Sequence, residues 1–283
     1  MRILITGANG QLGREVARQL CNREEHIIKA TNSKDLDICN RNLIYKFFEE
    51  FNPDAVINCA SYTSVDECEL DENYKKAYLV NVEAVRYLAM ECEKYNAKFI
   101  HFSTDYVFNG LNTEAIVESS IRIPINKYGL TKMLSEDEAF NNCSRTFVVR
   151  TSWLYGEGKN FVNTMLDLAN RNSEINVVGD QVGSPTYTKD LTRVIIKLID
   201  TDLYGIYHGT NHGECSWFEF AEEIFRLKNI NIKVNKVTSN EYVRRAKRPA
   251  YSVLDNKNLR YTGLDLFRTW QDALKDYLNV NNF

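Results

Sequence analysis

The chain has 283 residues, a length that suggests about two domains and allows a sizeable core. Hydrophobic residues make up 44% and charged residues 26%, an ordinary globular balance, and the net charge of −3 gives no general attraction to nucleic acid or to a membrane surface. No apolar run approaches the roughly 20 residues a bilayer span requires, and Met1 to Thr6 runs directly into a strand-like pattern, so no secretory signal is expected and the reading is a cytoplasmic protein.

Arg2 to Thr6 is a short apolar, β-branched run followed by a glycine cluster and a helical stretch to about Cys21. His26 to Thr31 reads as a strand, Leu43 to Phe51 as a helix, and Asp54 to Asn58 as a strand introduced by Pro53. Asn73 to Tyr95 predicts a long helix with Ala77, Val80, Ala84, Leu88 and Cys92 on one face. Lys98 to Ser103 is a strand, Asn126 to Asn141 a helix, and Thr146 to Arg150 a strand. Such alternation predicts a parallel sheet covered by helices on both faces. After about Thr151 the regularity weakens, with helices expected at Asn160 to Asn170, at Thr188 to Ile199, from the Ser216/Glu219 capping box, and at Trp270 to Leu278. Seven cysteines (Cys21, Cys39, Cys59, Cys68, Cys92, Cys143 and Cys215) form no C-x-x-C pair and read as reduced, mostly buried thiols. His208 and His212 sit among glycines and read as loop residues, not as metal ligands on a helix face.

Gly7-Ala8-Asn9-Gly10-Gln11-Leu12-Gly13 lies between the first strand and the first helix. Glycines there permit a tight turn and close backbone approach to a pyrophosphate, and the helix N-terminus supplies free N–H groups. The expected fold is therefore α/β, a Rossmann-type doubly wound parallel sheet. Residues 1–150 form the dinucleotide-binding domain and residues 151–283 a smaller C-terminal substrate-binding lobe, with some chain crossing back. The end of the second strand, Ala30-Thr31-Asn32-Ser33-Lys34, carries no acid to meet a ribose hydroxyl, while Ser33 and Lys34 could receive a 2′-phosphate. NADPH is favoured over NADH, and NADH stays open.

Tyr128 and Lys132 stand four residues apart on one helix face. Carbonyl reduction needs a proton on oxygen as hydride reaches carbon, and an ammonium near a phenol favours the phenolate. A second copy of the spacing, Tyr155 and Lys159, spans two glycines and reads as a loop. Ser103 and Thr104, at the end of the fourth strand, could bring a hydroxyl beside Tyr128.

At these residues the chain resembles the extended short-chain dehydrogenases/reductases, and within them the dTDP-4-dehydrorhamnose reductase family, nearly end to end. The resemblance rests on the glycine loop, Asp37-Ile38, the segments Asn58 to Asp66, Ser103 to Phe108, Pro124 to Lys132, Arg150 to Gly156 and Gly179 to Thr186, and Lys247-Arg248-Pro249. It implies reduction of dTDP-4-dehydro-β-L-rhamnose to dTDP-β-L-rhamnose by hydride from NADPH or NADH. Thr104 would hold the sugar carbonyl, Tyr128 would be the general acid, and Lys132 would hold the nicotinamide ribose and tune Tyr128. Gly7, Gly10, Gln11, Leu12 and Gly13 would cradle the pyrophosphate, Asp37 and Ile38 would frame the adenine, and Ala60, Ser61 and Tyr62 would line the cofactor groove. Asp105, Trp153 and Arg248 would contact the dTDP-sugar. Arg244, Arg245 and Lys247 are either further diphosphate contacts or a solvated charge run.

Some members of this family bind magnesium at a dimer contact. Glu15 and Asp190 are the candidate ligands for it here, and a homodimer is the candidate assembly. Where the family pattern has alanine, this chain has Cys59 and then Ser61. Two other readings stay open. One is a reductase or epimerase for a different nucleotide-4-keto-6-deoxysugar. The other is a non-catalytic regulatory subunit resembling that of methionine adenosyltransferase, which an intact Thr104/Tyr128/Lys132 set argues against.

Overall fold

The computed structural model describes residues 1–23 and 25–280. In chain order the first half runs β1 (Arg2–Thr6), α1 (Gln11–Cys21), β2 (Ile27–Ala30), α2 (Arg41–Phe51), β3 (Ala55–Asn58), α3 (Asp71–Tyr78), α4 (Ala84–Lys94), β4 (Lys98–Thr104), α5 (Lys127–Asn142) and β5 (Thr146–Thr151). The second half runs β6 (Leu154–Tyr155), α6 (Phe161–Ala169), β7 (Glu174–Val178), β8 (Val182–Gly183), β9 (Thr186–Tyr187), α7 (Thr188–Ile199) and β10 (Gly205–His208). It ends with β11 (Cys215–Ser216), α8 (Trp217–Lys228), β12 (Lys233–Val237), α9 (Lys257–Tyr261) and α10 (Trp270–Val280).

Six strands form one parallel sheet in the order β2-β1-β3-β4-β5-β10. This is the expected Rossmann-type sheet. Its inner strands are apolar on both faces because helices cover both. Ile3 and Ile5 face α1 and α7 with Ile100, Phe102, Phe147 and Val149. Leu4 faces α2, α4 and α5 with Val56, Phe99 and Val148. The direction of travel reverses between β1 and β3, which opens a crevice at the carboxyl ends of these strands.

The last strand of the sheet comes from the second half. The sequence placed His208 in a loop, but it ends β10, buried, with Nδ1 2.9 Å from the Ile116 carbonyl. Helix α7 packs on α1, so the chain crosses back to the main sheet after its first excursion. A separate core, built from Tyr155, Val162, Phe220, Ile224, Trp270 and Tyr277 among others, holds the C-terminal lobe together.

Local signals set several helix starts. Asn40 accepts the Asn42 and Leu43 N–H groups, so α2 begins two residues before its first apolar position. Ser216 and Glu219 form the expected capping box of α8. The predicted long helix from Asn73 begins at Asp71 and contains a π turn over Leu79–Glu83, where an extra residue turns Asn81 inward. All seven cysteines are free, four of them buried. Among the described residues, no helix is long and apolar enough to cross a membrane.

Candidate active site

The glycine loop is built by close backbone packing. Gly7 has φ +65°, and a Cβ there would lie 2.6 Å from the Ala60 nitrogen. A Cβ on Gly13 would lie 2.2 Å from the Gly7 carbonyl oxygen. Gly10 is the N-cap of α1 and offers no side-chain cap, so the N–H groups of the first turn face the crevice. The space a side chain would fill is thus kept for a group that approaches backbone, which fits the pyrophosphate of a dinucleotide.

Beside the loop lies a cleft of about 410 Å³ lined by Gly10, Gln11, Leu12, Ser61, Thr104, Asp105, Tyr128, Lys132 and Trp153, among others. β4 delivers Thr104 and α5 delivers Tyr128 and Lys132. Helix α5 comes close because residue 129 is glycine: a Cβ there would meet the Tyr106 carbonyl oxygen at 2.1 Å. Asn126 caps α5 by accepting the Gly129 N–H at 2.7 Å. One turn beyond Lys132, the fully buried Glu136 takes two hydrogen bonds from Arg150, at 2.9 and 2.7 Å, and one from Arg122 at 3.1 Å. That ion cluster locks α5 onto β5 and leaves the Glu136 charge balanced by arginines.

The electrostatics follow from burial. Tyr128 is 9% exposed, and its phenol is held above its ordinary range, first by burial and then by the Asp105 carboxylate and Tyr106. The Thr104 hydroxyl works the other way. Lys132 was expected to draw the phenol down. In the free protein the net shift is upward and led by burial, so the phenol keeps its proton at neutral pH. Asp105 is itself buried and pushed up to about 6, chiefly by loss of water. Its Oδ1 accepts the Thr104 hydroxyl at 2.9 Å.

Burial lowers the Lys132 ammonium to about 7, from 10.5 for a free lysine. Between those values the unfolded chain holds a proton that the folded chain releases. The cost of burying this charge is therefore full below about pH 7 and is relieved as pH rises. The free protein is expected to gain stability from this group above pH 7, with a slope approaching about 1.4 kcal/mol per pH unit. Denaturant titrations of the wild type and Lys132→Met check this; equal slopes in the two proteins would refute it.

The RmlD substrate binding domain family matches residues 1–282. The chain belongs to this family. Among curated relatives, it is 42% identical to the spore coat polysaccharide biosynthesis protein SpsK of Bacillus subtilis strain 168, over 98% of this chain and 96% of that one. It is 39% identical to dTDP-4-dehydrorhamnose reductase of Aggregatibacter actinomycetemcomitans, over 97% of each. A crystal structure of a dTDP-4-dehydrorhamnose reductase from Clostridium acetobutylicum ATCC 824 superposes with a TM-score of 0.97 at 46% identity, covering 100% of both chains. The reductase from Bacillus anthracis str. Ames, solved in complex with NADP, gives 0.95 at 41% identity and 99% coverage of both.

In this RmlD-family chain the remaining expected site residues are spread more widely. Ser61 lines the cleft with Cys59, while Tyr62 packs under Tyr128 with Cys68, Ala77 and Tyr106. Ala60 supplies the backbone that meets Gly7. Asp37 is exposed and turned back onto the Cys39 N–H, and Ile38 belongs to the core beneath α2. Trp153 lines the cleft in a left-handed backbone conformation, φ +46°, costly for a bulky residue, and stacks on Trp217 at 3.5 Å. Arg248 stands in an adjoining cavity of about 270 Å³ with Trp217, Tyr242 and Arg244, and is hydrogen-bonded to Asp66. Tyr155 of the second Tyr/Lys copy is buried in the C-terminal aromatic cluster, away from the cleft.

The two candidate magnesium ligands have other partners. Glu15 accepts from Arg18 and Gln19, and the buried Asp190 accepts from Arg268 and Asn211. Among the described residues, no group of three or more acids, histidines or cysteines is placed to hold a metal.

Two features beside the cleft escaped the sequence reading. Asn81 accepts from Ser61 and the Tyr62 N–H, and donates to the Tyr62 carbonyl and Thr131, tying the groove to α5. Its one signal was a polar residue beside the apolar stripe of a long helix. Behind Lys132, the His101 imidazole lies 3.4 Å from Nζ, 2.9 Å from Ser135 and 3.2 Å from Asn58. A histidine inside an apolar strand was that signal.

Proposed function

We propose that this protein is a dTDP-4-dehydrorhamnose reductase that uses NADPH. The observation that carries the reading is the Thr104, Tyr128 and Lys132 set converging on one cleft beside a glycine loop of the right shape. The reductases described above, one of them solved with NADP, support the substrate and the cofactor. An intact catalytic set argues against the non-catalytic regulatory reading.

The first turn of α1 with Gly10, Gln11 and Leu12 would hold the pyrophosphate, and Lys132 the nicotinamide ribose. NADPH supplies the hydride when bound. The chain's own residues then do the following. Tyr128, kept protonated by burial, donates its proton to the oxygen of the sugar's keto group. Thr104 turns its hydroxyl from Asp105 to that oxygen and, with Tyr128, stabilises the charge developing on it. Lys132, one helix turn away, supplies positive charge as the tyrosine loses its proton. Trp153 and Trp217 wall the cleft on the sugar side and exclude water there.

The direct test is NADPH oxidation dependent on dTDP-4-dehydro-L-rhamnose, with dTDP-4-keto-6-deoxy-D-glucose run beside it. Oxidation only with the second sugar would overturn the substrate assignment.

Ser33 and Lys34 are exposed on the loop that joins the glycine turn through the Ala8 N–H to Thr31 carbonyl bond, 2.9 Å. Lys34→Asp is expected to raise the KM for NADPH by about tenfold or more and to leave that for NADH little changed. Steady-state kinetics with both cofactors decides it; an unchanged NADPH/NADH ratio removes Lys34 from the 2′-phosphate site.

A further inference from the structure

Between β12 and α9 the chain runs as a strap, residues 238–250, without regular structure. It is tied to both halves of the molecule. On the C-terminal side, the Ser239 N–H and hydroxyl donate to Asp180, and Gln181 donates to the Ser239 hydroxyl at 2.9 Å. On the other side Asp66 receives three hydrogen bonds. Its Oδ1 accepts the Ala246 N–H at 3.1 Å and Arg248 Nη1 at 3.2 Å, and its Oδ2 accepts Arg248 Nη2 at 2.8 Å. The Lys247 carbonyl accepts from Asn126 at 2.8 Å, and Asn126 is the cap of the helix that carries Tyr128 and Lys132.

The strap brings Tyr242, Arg244 and Arg248 to one cavity whose other wall includes Trp217, a residue shared with the catalytic cleft. Both outer nitrogens of Arg248 are committed to Asp66 and the Ala246 carbonyl. Arg244 reaches Asp66 only at 4.0 Å and is half exposed, so its charge remains available to an anion. Asp66 thus anchors the strap through one arginine and leaves another facing the cavity.

We propose that Asp66 is a positioning residue that holds the 238–250 strap against the catalytic half and thereby sets affinity for the anionic sugar nucleotide, while leaving the rate of proton transfer to Tyr128. The inference rests on the reductase reading. Without the carboxylate, a partly buried Arg248 keeps only neutral partners, the Ala246 carbonyl and the Tyr106 hydroxyl, the Ala246 N–H loses its acceptor, and Arg244 and Tyr242 lose their fixed place.

The probes are dTDP, titrated calorimetrically into the NADPH-saturated protein, and dTDP-4-dehydro-L-rhamnose in steady-state assays. Asp66→Ala is expected to weaken dTDP and raise the KM for the sugar by about tenfold, with kcat and NADPH affinity within about twofold. Asp66→Asn, which keeps an acceptor for the Ala246 N–H, should show a smaller rise and serves if the alanine variant does not fold. The double variant Asp66→Ala/Arg248→Ala should be no weaker than the worse single one, because the two residues act as a pair. Wild-type affinity for dTDP in both Asp66 variants, a loss confined to kcat, or additive losses in the double variant would each overturn the proposal. A wild-type protein that neither binds dTDP nor turns over the sugar would instead overturn the reductase reading on which it stands.

Discussion

Tyr128→Phe is expected to lower kcat by about a thousandfold, roughly 4 kcal/mol of transition-state stabilisation, with little change in NADPH affinity. The phenol oxygen is the group placed to give a proton within reach of Thr104, and removing it leaves the nascent alkoxide without that donor. Phenylalanine keeps the ring's burial and its edge contact with Tyr106, at 6.0 Å between centroids, so the melting temperature should move little. Single-turnover NADPH oxidation separates chemistry from product release. A fall of less than about tenfold there would remove Tyr128 as the proton donor.

Gly13→Ala should damage both the fold and the cofactor site. The added methyl would stand 2.2 Å from the Gly7 carbonyl oxygen and 2.8 Å from the Ala8 Cα, and both are backbone atoms with no flexible side chain to yield. Either α1 moves off the loop or the loop opens, at a cost of about 3 kcal/mol. NADPH affinity is expected to fall by about a hundredfold, because the first-turn N–H groups no longer converge on the pyrophosphate. Gly10→Ala gives the contrast: its Cβ would be 3.3 Å from the same oxygen, so its loss of stability should be smaller. Thermal melts and NADPH titrations of the two variants test this. Gly13→Ala binding NADPH as the wild type does would refute the cradle.

Much of the first half was legible because its signals are local. Ile3, Leu4 and Ile5 are apolar in succession since each face of β1 meets a helix layer, and the turn after them needs glycine for reasons of backbone distance alone. Tyr128 and Lys132 are one helix turn apart, so their shared face follows from the spacing. The second half was less legible. β8, β9 and β11 are two residues long, too short for any periodicity, and β7 finds its partner β12 more than fifty residues away. His208 looked like part of a glycine-flanked loop because four residues of β10 carry too little pattern to announce an edge of the main sheet.

The sequence by itself determined the glycine turn, the strand–helix alternation, the capping of α8 and the shared helix face of Tyr128 and Lys132, since each is fixed by residues within a few positions of one another. The tertiary structure alone decided three things: the neutralisation of Glu136 by Arg150 and Arg122, the inward turn of Asn81 at a π turn, and the clasp of Arg248 on Asp66. Each depends on which distant side chain arrives within about 3 Å, a distance at which a buried charge or amide is either satisfied or costly. No spacing along the chain encodes that arrival. It is set by how the strands order in the sheet and where the strap crosses the cleft.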